Sequence, residues 1–451
     1  MPDTVLWLRR DLRLADLPAL GAANEAAGAG AVLPLFVLDR RLWEGASPIR
    51  RVWLRNSLAA LQARYDGALV VRAGPPEEVV PQVVREVGAA SVHVTAETTP
   101  YGRRRDAAVR AALGTVDLVA TGTPYAVGPG TIVTRAGTPY QVFTPFARAW
   151  RAHGWPQPAP VPRKLRFVRR VESEDLPPVD DPQVELPAVG EQAAQAAWRA
   201  FVADGLDDYA SARDRPDLDA TSRMSVHLKF GEIHPRTMLA DIARAAHPRG
   251  NGATAYVTEL AWREFYADVL WHRPDSAWAD LREELRGMDY DEESEALTAW
   301  QRGRTGFPFV DAGMRQLVEQ GWMHNRLRMV TASFLVKDLH VWWPHGARHF
   351  QRHLVDFDLA SNNHGWQWTA GTGTDAAPYF RVFNPVSQGQ RFDPTGDYVR
   401  RWVPELRHLA GAAVHEPWRA GDGYAHGYPP PIVDHAAERE EALRRYARAR
   451  A

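Results

Sequence analysis

The chain has 451 residues, of which 45% are hydrophobic and 24% are charged, and its formal net charge is -1. This length predicts two or three domains with a substantial core. The near-zero charge excludes a uniformly basic protein, although the 54 basic residues can still gather on one face. The absence of cysteine excludes disulfides, thiolate nucleophiles and cysteine-ligated metal centres. There are 17 tryptophans, more than packing usually requires. Because cysteine chemistry is excluded, we expect the chemistry to come from a bound cofactor.

Short apolar runs alternate with helix-like segments in the first part of the chain. The strand-like runs are TVLWL (4–8), AVLPLFVL (31–38), ALVVRA (68–73), SVHVTA (91–96) and VDLVAT (116–121). Such alternation predicts an α/β domain over residues 1–130, with a doubly wound parallel sheet covered by helices. None of the runs is followed by a G-x-G-x-x-G fingerprint, so a dinucleotide site is not indicated in this domain.

The rest of the chain reads as a connector followed by helices. A proline-rich stretch between Trp155 and Pro187 predicts an extended linker, which we place over residues 131–190. Residues 191–451 show helical patterns and are expected to form an all-α domain that closes with AAEREEALRRYARARA. The amino terminus lacks a signal-peptide pattern, and no apolar run reaches the roughly 20 residues of a membrane span. We therefore expect a cytoplasmic protein without membrane contact.

The segment from Asp356 to Pro385 is the richest in recognition chemistry. It combines carboxylates, amides and indoles, namely Asp356, Asp358, Asn362, Asn363, Trp366 and Trp368. These groups suit a planar aromatic ligand that forms hydrogen bonds. They also fit the entry to a buried helix, with Ser361 or Asn362 as N-cap and Trp366 as a core anchor.

Two further segments accompany it. In ELAWREFYADVLWH (259–272), helical spacing brings an acid, an indole and an arginine together, and GWMHNRLRMVTASFLVKDLHVWW (321–343) can place Asn325, Arg328 and Met329 on one helix face. With the opening VLWLRRDLRLADLPAL, these blocks resemble in order and spacing the DNA photolyase and cryptochrome family, over nearly the whole chain. Within that family the resemblance is greatest to class I photolyases, which repair cyclobutane pyrimidine dimers.

The resemblance implies a Rossmann-like antenna domain joined by the connector to a helical domain that binds flavin adenine dinucleotide (FAD). Tyr209 and the segment 221–225 would hold the pyrophosphate, Asp356 and Asp358 would meet the ribose and the isoalloxazine edge, and Asn362 would face flavin N5. Arg328 would pair with Asp356, because burying that charge alone is expensive. The cofactor residues are thus Tyr209, Thr221, Ser222, Arg223, Met224, Ser225, Arg328, Asp356, Asp358 and Asn362. Without the resemblance, Thr221, Ser222 and Ser225 fit a phosphate-holding helix start and an ordinary capping cluster equally well.

The resemblance also implies a pocket for a dimer flipped out of the helix. Trp262 and Trp368 would wedge against the joined bases, Glu259 and Asn325 would bond their Watson-Crick edges, and Met329 would fill space over the cyclobutane ring. Light would drive electron transfer from excited reduced flavin to the dimer, which needs neither a metal nor a nucleophile. Further contacts with DNA phosphates or with the pocket mouth would come from Arg213, Arg263, Arg326 and Gln388.

Met329 favours dimer repair over two alternatives. Relatives that act on (6-4) photoproducts, and many animal-type cryptochromes, usually carry histidine at the matching place, whereas His324 here lies five residues earlier. A blue-light cryptochrome often carries a long disordered tail, whereas this chain ends soon after YPPPIVDH with a short helix-like segment. The (6-4) photolyase and the cryptochrome stay open as alternatives.

The family's chain of indoles, which carries electrons from the surface to the flavin, has two clear matches here. Trp366 aligns with the inner indole and Trp343 with the middle one, but the outer position is Tyr290. Because tyrosine is harder to oxidise unless its proton can leave, we expect slower or rerouted photoreduction, with Trp342 or Trp271 as other exits.

The antenna and the partners complete the implied function. PYGRRRD (100–106) resembles members that use 8-hydroxy-5-deazaflavin, since the glutamate typical of folate users is replaced by Gly102. Arg50 and Glu97 would then face the chromophore, and methenyltetrahydrofolate or an empty site are the alternatives. The expected partner is UV-damaged DNA, single- or double-stranded, and we expect a monomer without an obligate protein partner.

Overall fold

The computed structural model describes residues 3–180, 183–184, 186–245, 251–375 and 381–450, which fall into two compact units. The first unit consists of Met1–Asp207 and Ser222–Pro274, and the second of Asp208–Thr221 and Asp275–Ala451. Asp181, Pro182 and Glu185 of the predicted connector lie outside the described residues. The two units therefore do not divide the chain at residue 190. The predicted domains, residues 1–130, 131–190 and 191–451, stay a proposal.

A parallel sheet organises the first unit. Its strands are β1 (Thr4–Leu8), β2 (Val32–Leu38), β3 (Val70–Ala73), β4 (Ser91–Val94) and β5 (Asp117–Ala120), so every predicted strand is confirmed. In the described part of the chain the order is β3-β2-β1-β4-β5, and Thr4 is in register with both Val32 and Ser91. The winding direction reverses between β1 and β4, which is the usual ligand position of such sheets.

Helices cover the sheet because its central strands β1 and β2 are buried at every position, so both of their faces are covered. Numbered along the whole chain, the helices of this unit are α1 (Pro18–Ala27), α2 (Arg40–Glu44), α3 (Pro48–Arg64), α4 (Pro76–Val87), α5 (Pro100–Leu113), α6 (Phe143–His153), α7 (Glu191–Asp204), α9 (Ser225–Phe230), α10 (Pro235–Arg244) and α11 (Gly252–His272). Helix α6 lies within residues 131–190, which we assign to the connector, but it ends before the proline-rich stretch that begins at Trp155. It forms there because Phe146 and Trp150 share one buried face.

The second unit is helical in its described residues, as the sequence predicts. Its helices are α8 (Tyr209–Ala212), α12 (Glu295–Gln301), α13 (Pro308–Gln320), α14 (Asn325–Lys337), α15 (Trp343–His353), α16 (Leu359–Ala370), α17 (Pro385–Phe392), α18 (Asp397–Trp402) and α19 (His435–Ala449). Their core is rich in aromatic side chains, and Trp300, Trp343 and Trp366 are all buried in it. No helix within the described ranges is long and apolar enough to cross a membrane.

Candidate functional site

Helix α11 in the first unit carries the predicted indole wedge. Trp262 stacks face to face on Phe143 of α6, with ring centroids 3.6 Å apart and planes inclined by 8°. Tyr266 packs one turn further along at 5.4 Å, and Glu259 lies one turn before Trp262. Both Glu259 and Trp262 are partly exposed. The stack therefore holds the indole in one orientation while part of its surface stays accessible.

Arg263, which we predict to contact DNA, has its side chain engaged in contacts within the protein. Its guanidinium donates to the backbone oxygens of Pro124 at 3.1 Å and Leu228 at 3.5 Å, and it lies over the Tyr125 ring at 4.5 Å. These contacts favour a structural role, and the DNA contact stays a prediction.

The first turn of α14 in the second unit brings two predicted substrate residues together. The amide Nδ2 of exposed Asn325 lies 3.9 Å from the Met329 sulfur, as expected for residues four apart on a helix. His324 is buried and caps the helix, because its Nδ1 accepts from the Arg326 backbone N–H at 3.2 Å. Burial, as the largest cause, lowers the pKa of His324 to about 4, so the ring is neutral at pH 7.

The other predicted DNA contacts have mixed surroundings. Arg326 forms an ion pair with Asp214 at 2.8 Å and stacks over Phe392 at 4.2 Å, so it is already charge-balanced. Arg213 lies 5.9 Å from the Tyr209 ring centroid in the α8 region. The Oε1 atom of Gln388 on α17 is buried and has no hydrogen-bond partner among the described residues. Among the four predicted DNA contacts, Gln388 thus has a buried oxygen that is available to a hydrogen-bond donor from a ligand.

An ion pair with partly exposed Arg328 fixes the buried carboxylate that is predicted to meet the flavin. Arg328 donates to Asp356 Oδ2 at 2.8 Å, and its Nε donates to the Met323 backbone oxygen. The other carboxylate oxygen, Asp356 Oδ1, is buried and accepts nothing from the described residues. Because an unpaired buried acceptor is costly, this atom marks a place for a ligand donor.

Helix α16 carries the dense segment of the sequence. Its N-cap is Asp358, whose carboxylate accepts from the Ser361 N–H at 3.1 Å, so the alternative with Ser361 or Asn362 as N-cap is wrong. A carboxylate accepts hydrogen bonds more strongly than a hydroxyl or an amide, which explains the earlier cap. The Asn362 amide donates to Asn363 Oδ1 at 2.8 Å. Trp366 is a buried core residue, as expected for a core anchor, whereas Trp368 is partly exposed.

The predicted phosphate segment begins in the second unit and continues in the first. Thr221 Oγ1 is buried and unpartnered within the described chain, whereas the Ser222 hydroxyl bonds the Tyr256 hydroxyl at 2.8 Å. Arg223 adopts φ of 52°, a left-handed conformation that non-glycine residues rarely take, and Met224 is buried as the N-cap of α9. Helix α9 begins at Ser225, close to the predicted start.

Two residues predicted to bind FAD offer buried polar atoms to a ligand. Asp356 and Thr221, both in the second unit, each hold a buried polar atom without a protein partner in the described chain. A dinucleotide offers hydroxyl donors for such a carboxylate and phosphate acceptors for such a hydroxyl. Arg328 forms a direct ion pair with Asp356, and Asn362 adds polarity without charge. The residues present therefore fit the cofactor.

The predicted electron-transfer residues lie in the second unit. Trp343 is fully buried and donates its indole N–H to Asp280 Oδ1 at 2.8 Å, and the neighbouring Trp342 donates to Asp280 Oδ2 at 3.2 Å. Tyr290 packs against the same core, and its hydroxyl is buried with no partner in the described ranges. Burial, together with the Asp280 charge, raises the pKa of Tyr290 well above its usual value. No sequence pattern predicted a functional role for Asp280.

The predicted antenna residues are engaged within the first unit. Glu97, just beyond β4, accepts from the Thr98 N–H at 2.8 Å and lies 3.8 Å from Arg10 and 3.7 Å from Arg105. These arginines outweigh the effect of burial and lower the pKa of Glu97 to about 2. Arg50 is buried and donates to the Gly45 backbone oxygen at 3.4 Å. Glu97 is therefore a fixed anion near the point where the sheet reverses its winding.

The sequence matches two protein-family models in succession. Residues 4–163 match the family described as DNA photolyase, and residues 256–448 match the FAD binding domain of DNA photolyase. The deoxyribodipyrimidine photo-lyase of Streptomyces griseus is 42% identical, with 100% of this chain and 99% of the relative covered. The enzyme of the same name from Escherichia coli is 38% identical, with the same coverage.

Solved structures agree with these matches. A class III photolyase from Agrobacterium tumefaciens superposes with a TM-score of 0.92 at 36% identity, covering 100% of this chain and 98% of that one. A cryptochrome from Synechocystis reaches a TM-score of 0.90 at 27% identity, covering 98% and 99%. A parallel α/β sheet followed by helices that match an FAD-binding family defines a flavoprotein of photolyase architecture. The chain belongs to the DNA photolyase family.

Proposed function

We propose that this protein is a light-driven DNA repair enzyme that splits cyclobutane pyrimidine dimers, with FAD as its catalytic cofactor. The proposal is supported by two relatives named deoxyribodipyrimidine photo-lyase, which are 42% and 38% identical over the full chain. It is also supported by the match to the FAD binding domain over residues 256–448. The class I assignment within the family stays a prediction.

The residues of the cofactor site would bind and orient FAD. Asp356 would accept from a cofactor donor through its unpaired Oδ1, while Arg328 balances its charge. Thr221 and the segment after it would meet the pyrophosphate, and Asn362 would face flavin N5 without adding charge. When bound and reduced, FAD supplies the excited electron that enters the dimer and takes it back once both cyclobutane bonds have split.

The protein would hold the flipped dimer by shape, stacking and hydrogen bonds. Trp262, pressed against Phe143, would offer a rigid apolar wedge, and Trp368 would act as a second one. Glu259 and Asn325 would bond the base edges, and Met329 would fill the space over the cyclobutane ring. Extrusion costs least for a damaged base, which gives the lesion an advantage over intact DNA.

One observation favours the dimer over a (6-4) lesion. The accessible end of α14 presents the Asn325 and Met329 pair, while His324 is buried, 2% exposed and committed to capping the helix. A neutral ring with a lowered pKa cannot donate a second proton to a lesion at pH 7. Met329 on this side of α14 therefore offers a soft, apolar contact that suits the cyclobutane ring.

Binding in the dark tests this proposal and its alternatives. FAD-loaded protein would be titrated with oligonucleotides that carry one cyclobutane dimer, one (6-4) photoproduct or no lesion. We expect the dimer to bind at least about tenfold more tightly than either other DNA, a difference of about 1.4 kcal/mol. Met329→His should reduce that preference, and Met288→His, at another partly exposed methionine of the same unit, should not. Equal binding of all three DNAs would contradict repair and favour the cryptochrome.

For the antenna we propose 8-hydroxy-5-deazaflavin rather than methenyltetrahydrofolate. A Cβ added at Gly102 would lie 2.8 Å from Glu97 Oε2, so the glutamate typical of folate users has no room while Glu97 keeps its position. Extraction of the bound chromophore tests this, because a folate absorption spectrum would overturn the proposal. An extract without any second chromophore would leave the domain as a structural one.

The partner is proposed to be UV-damaged DNA, in either single or double strands. We also propose a monomer that works in the cytoplasm without an obligate protein partner. Sedimentation of the FAD-loaded protein with and without lesion DNA tests the oligomeric state, since a mass of two chains would contradict the monomer.

A further inference from the structure

One carboxylate binds two neighbouring indoles. Asp280 Oδ1 accepts from Trp343 at 2.8 Å and Asp280 Oδ2 accepts from Trp342 at 3.2 Å, while the two indole centroids lie 6.4 Å apart. Asp280 is 3% exposed and Trp343 is 0% exposed, whereas Trp342 is partly exposed. A negative charge thus lies beside both indoles, one of which reaches the surface.

The surrounding contacts hold this carboxylate against the helix that carries Trp366. The N–H of Leu281, next in the chain, donates to Gln367 Oε1 at 2.9 Å, and Gln367 Nε2 donates to Ser276 O at 2.8 Å. Arg286 donates to the backbone oxygen of Asp280 at 2.9 Å. Because Gln367 lies on α16 beside Trp366, the Asp280 loop is fixed relative to the inner indole.

Trp366 in turn packs closely against α15, the helix that begins with Trp343. A Cβ added at Gly346, one turn after Trp343, would lie 2.6 Å from Trp366 Cζ3, so only glycine leaves room for the inner indole there. Inner and middle indoles therefore share one compact region of the second unit.

Tyr290 lacks what an oxidised tyrosine requires. A phenol is oxidised readily only when its proton can move to an acceptor, and the Tyr290 hydroxyl is buried with no acceptor in the described chain. The Asp280 carboxylate is already occupied by two indole donors. Trp342 has the opposite situation, because its N–H is bonded to a carboxylate whose charge stabilises an indole radical cation.

Two other tryptophans are poorer exits. Arg103 lies 3.9 Å over the Trp271 ring, and a cation over the ring disfavours a second positive charge there. Trp300 contacts Trp366 at 6.1 Å but is fully buried and donates to the Thr331 backbone oxygen, so it cannot reach an external donor.

We propose that photoreduction in this protein ends at Trp342 rather than at Tyr290, with Asp280 as the positioning residue that joins Trp342 to Trp343. This rests on the proposed function only in requiring bound FAD. Under light, Trp366 would give one electron to the bound oxidised FAD, after which Trp343 gives one electron to Trp366 and Trp342 gives one to Trp343. The Trp342 radical cation can release its N–H proton toward Asp280. An external thiol then supplies one electron and is itself oxidised, and the proton returns.

Variants of the FAD-loaded protein test the route. With oxidised FAD, light and dithiothreitol, we expect Trp342→Phe and Asp280→Asn each to slow flavin photoreduction at least about tenfold, a change of about 1.4 kcal/mol in the barrier. Tyr290→Phe should match the parent. Trp278→Phe is the matched control, because Trp278 is another partly exposed tryptophan of this unit and stacks with Arg348. A parental rate in Trp342→Phe, or a loss in Tyr290→Phe, would overturn the proposal.

A second readout does not depend on the flavin. Protein freed of FAD would be oxidised by light with a ruthenium tris-bipyridyl complex and persulfate, and the radical identified by electron paramagnetic resonance. We expect a tryptophan radical that Trp342→Phe diminishes, and a tyrosyl radical that Tyr290→Phe removes would contradict the assignment. Repair of a dimer by chemically reduced variants needs no photoreduction. If the chemically reduced parent protein does not repair the dimer, only the proposed function is refuted. If photoreduction does not end at Trp342, that repair is unaffected.

Discussion

The approach of Trp366 to α15 makes a specific prediction for Gly346→Ala. The added Cβ would lie 2.6 Å from both Trp366 Cζ3 and Leu335 Cδ2, whereas carbon atoms normally approach to about 3.5 Å or more. Both neighbours are buried, so neither can swing into solvent. Overpacking at the upper end costs about 3 kcal/mol, and alanine in a helix regains about 1 kcal/mol. We expect a net loss of about 2 kcal/mol.

Thermal unfolding followed by circular dichroism measures this loss. For a unit of this size, about 2 kcal/mol corresponds to a fall in the midpoint of about 4 to 8 °C. Gly21→Ala is the control, because Gly21 lies in α1 with nothing within 4 Å of the added Cβ and should gain stability. If Gly346→Ala also raised the midpoint, Trp366 would not be held against α15 and the reasoning would be refuted.

Three further predictions concern buried polar groups and the indole stack. His234, His324 and His364 each have a pKa lowered by burial to about 4, against 6.5 for the exposed ring. Between pH 4 and pH 6.5 the unfolded chain binds more protons than the folded one. The free energy of unfolding should therefore fall as the pH drops from 6.5 to 4, by up to about 1.4 kcal/mol per pH unit for each ring. Denaturant titrations at several pH values check this, and His324→Asn should make the free energy of unfolding depend less steeply on pH. Glu264 is buried and accepts from three consecutive backbone N–H groups, so Glu264→Ala should cost at least about 3 kcal/mol in urea unfolding, and a loss below about 1 kcal/mol would contradict the role. Phe143→Leu removes the aromatic ring that stacks on Trp262 and should weaken dimer binding about tenfold while FAD stays bound. Unchanged binding would show that Phe143 does not support Trp262 in binding the dimer.

The central strands β1 and β2 were predictable because buried parallel strands read as short, largely apolar runs. The structure shortens some of the predicted strands, for example from residues 91–96 to Ser91–Val94, since the last residues leave the sheet to form the loop that carries Glu97. Helix α6 was missed because the prolines around it dominated the local pattern. Its burial depends on partners such as Phe265, more than one hundred residues away.

The candidate site was predictable where local spacing decides. The pairing of Asn325 with Met329 follows from helical periodicity, and the ion pair of Arg328 with Asp356 follows from the cost of burying a charge. Asp280 gave no signal, because its partners are 62 and 63 residues away and DLREEL looks like an ordinary surface segment. Only tertiary packing brings one acid to two indoles.

Light-dependent repair tests the central claim most directly. Chemically reduced, FAD-loaded protein would be illuminated with an oligonucleotide containing one thymine dimer, with a (6-4) oligonucleotide and dark samples in parallel. We expect the dimer alone to be restored to intact thymines, and only in the light. Absence of repair of either lesion, with reduced FAD confirmed in the protein, would contradict the account.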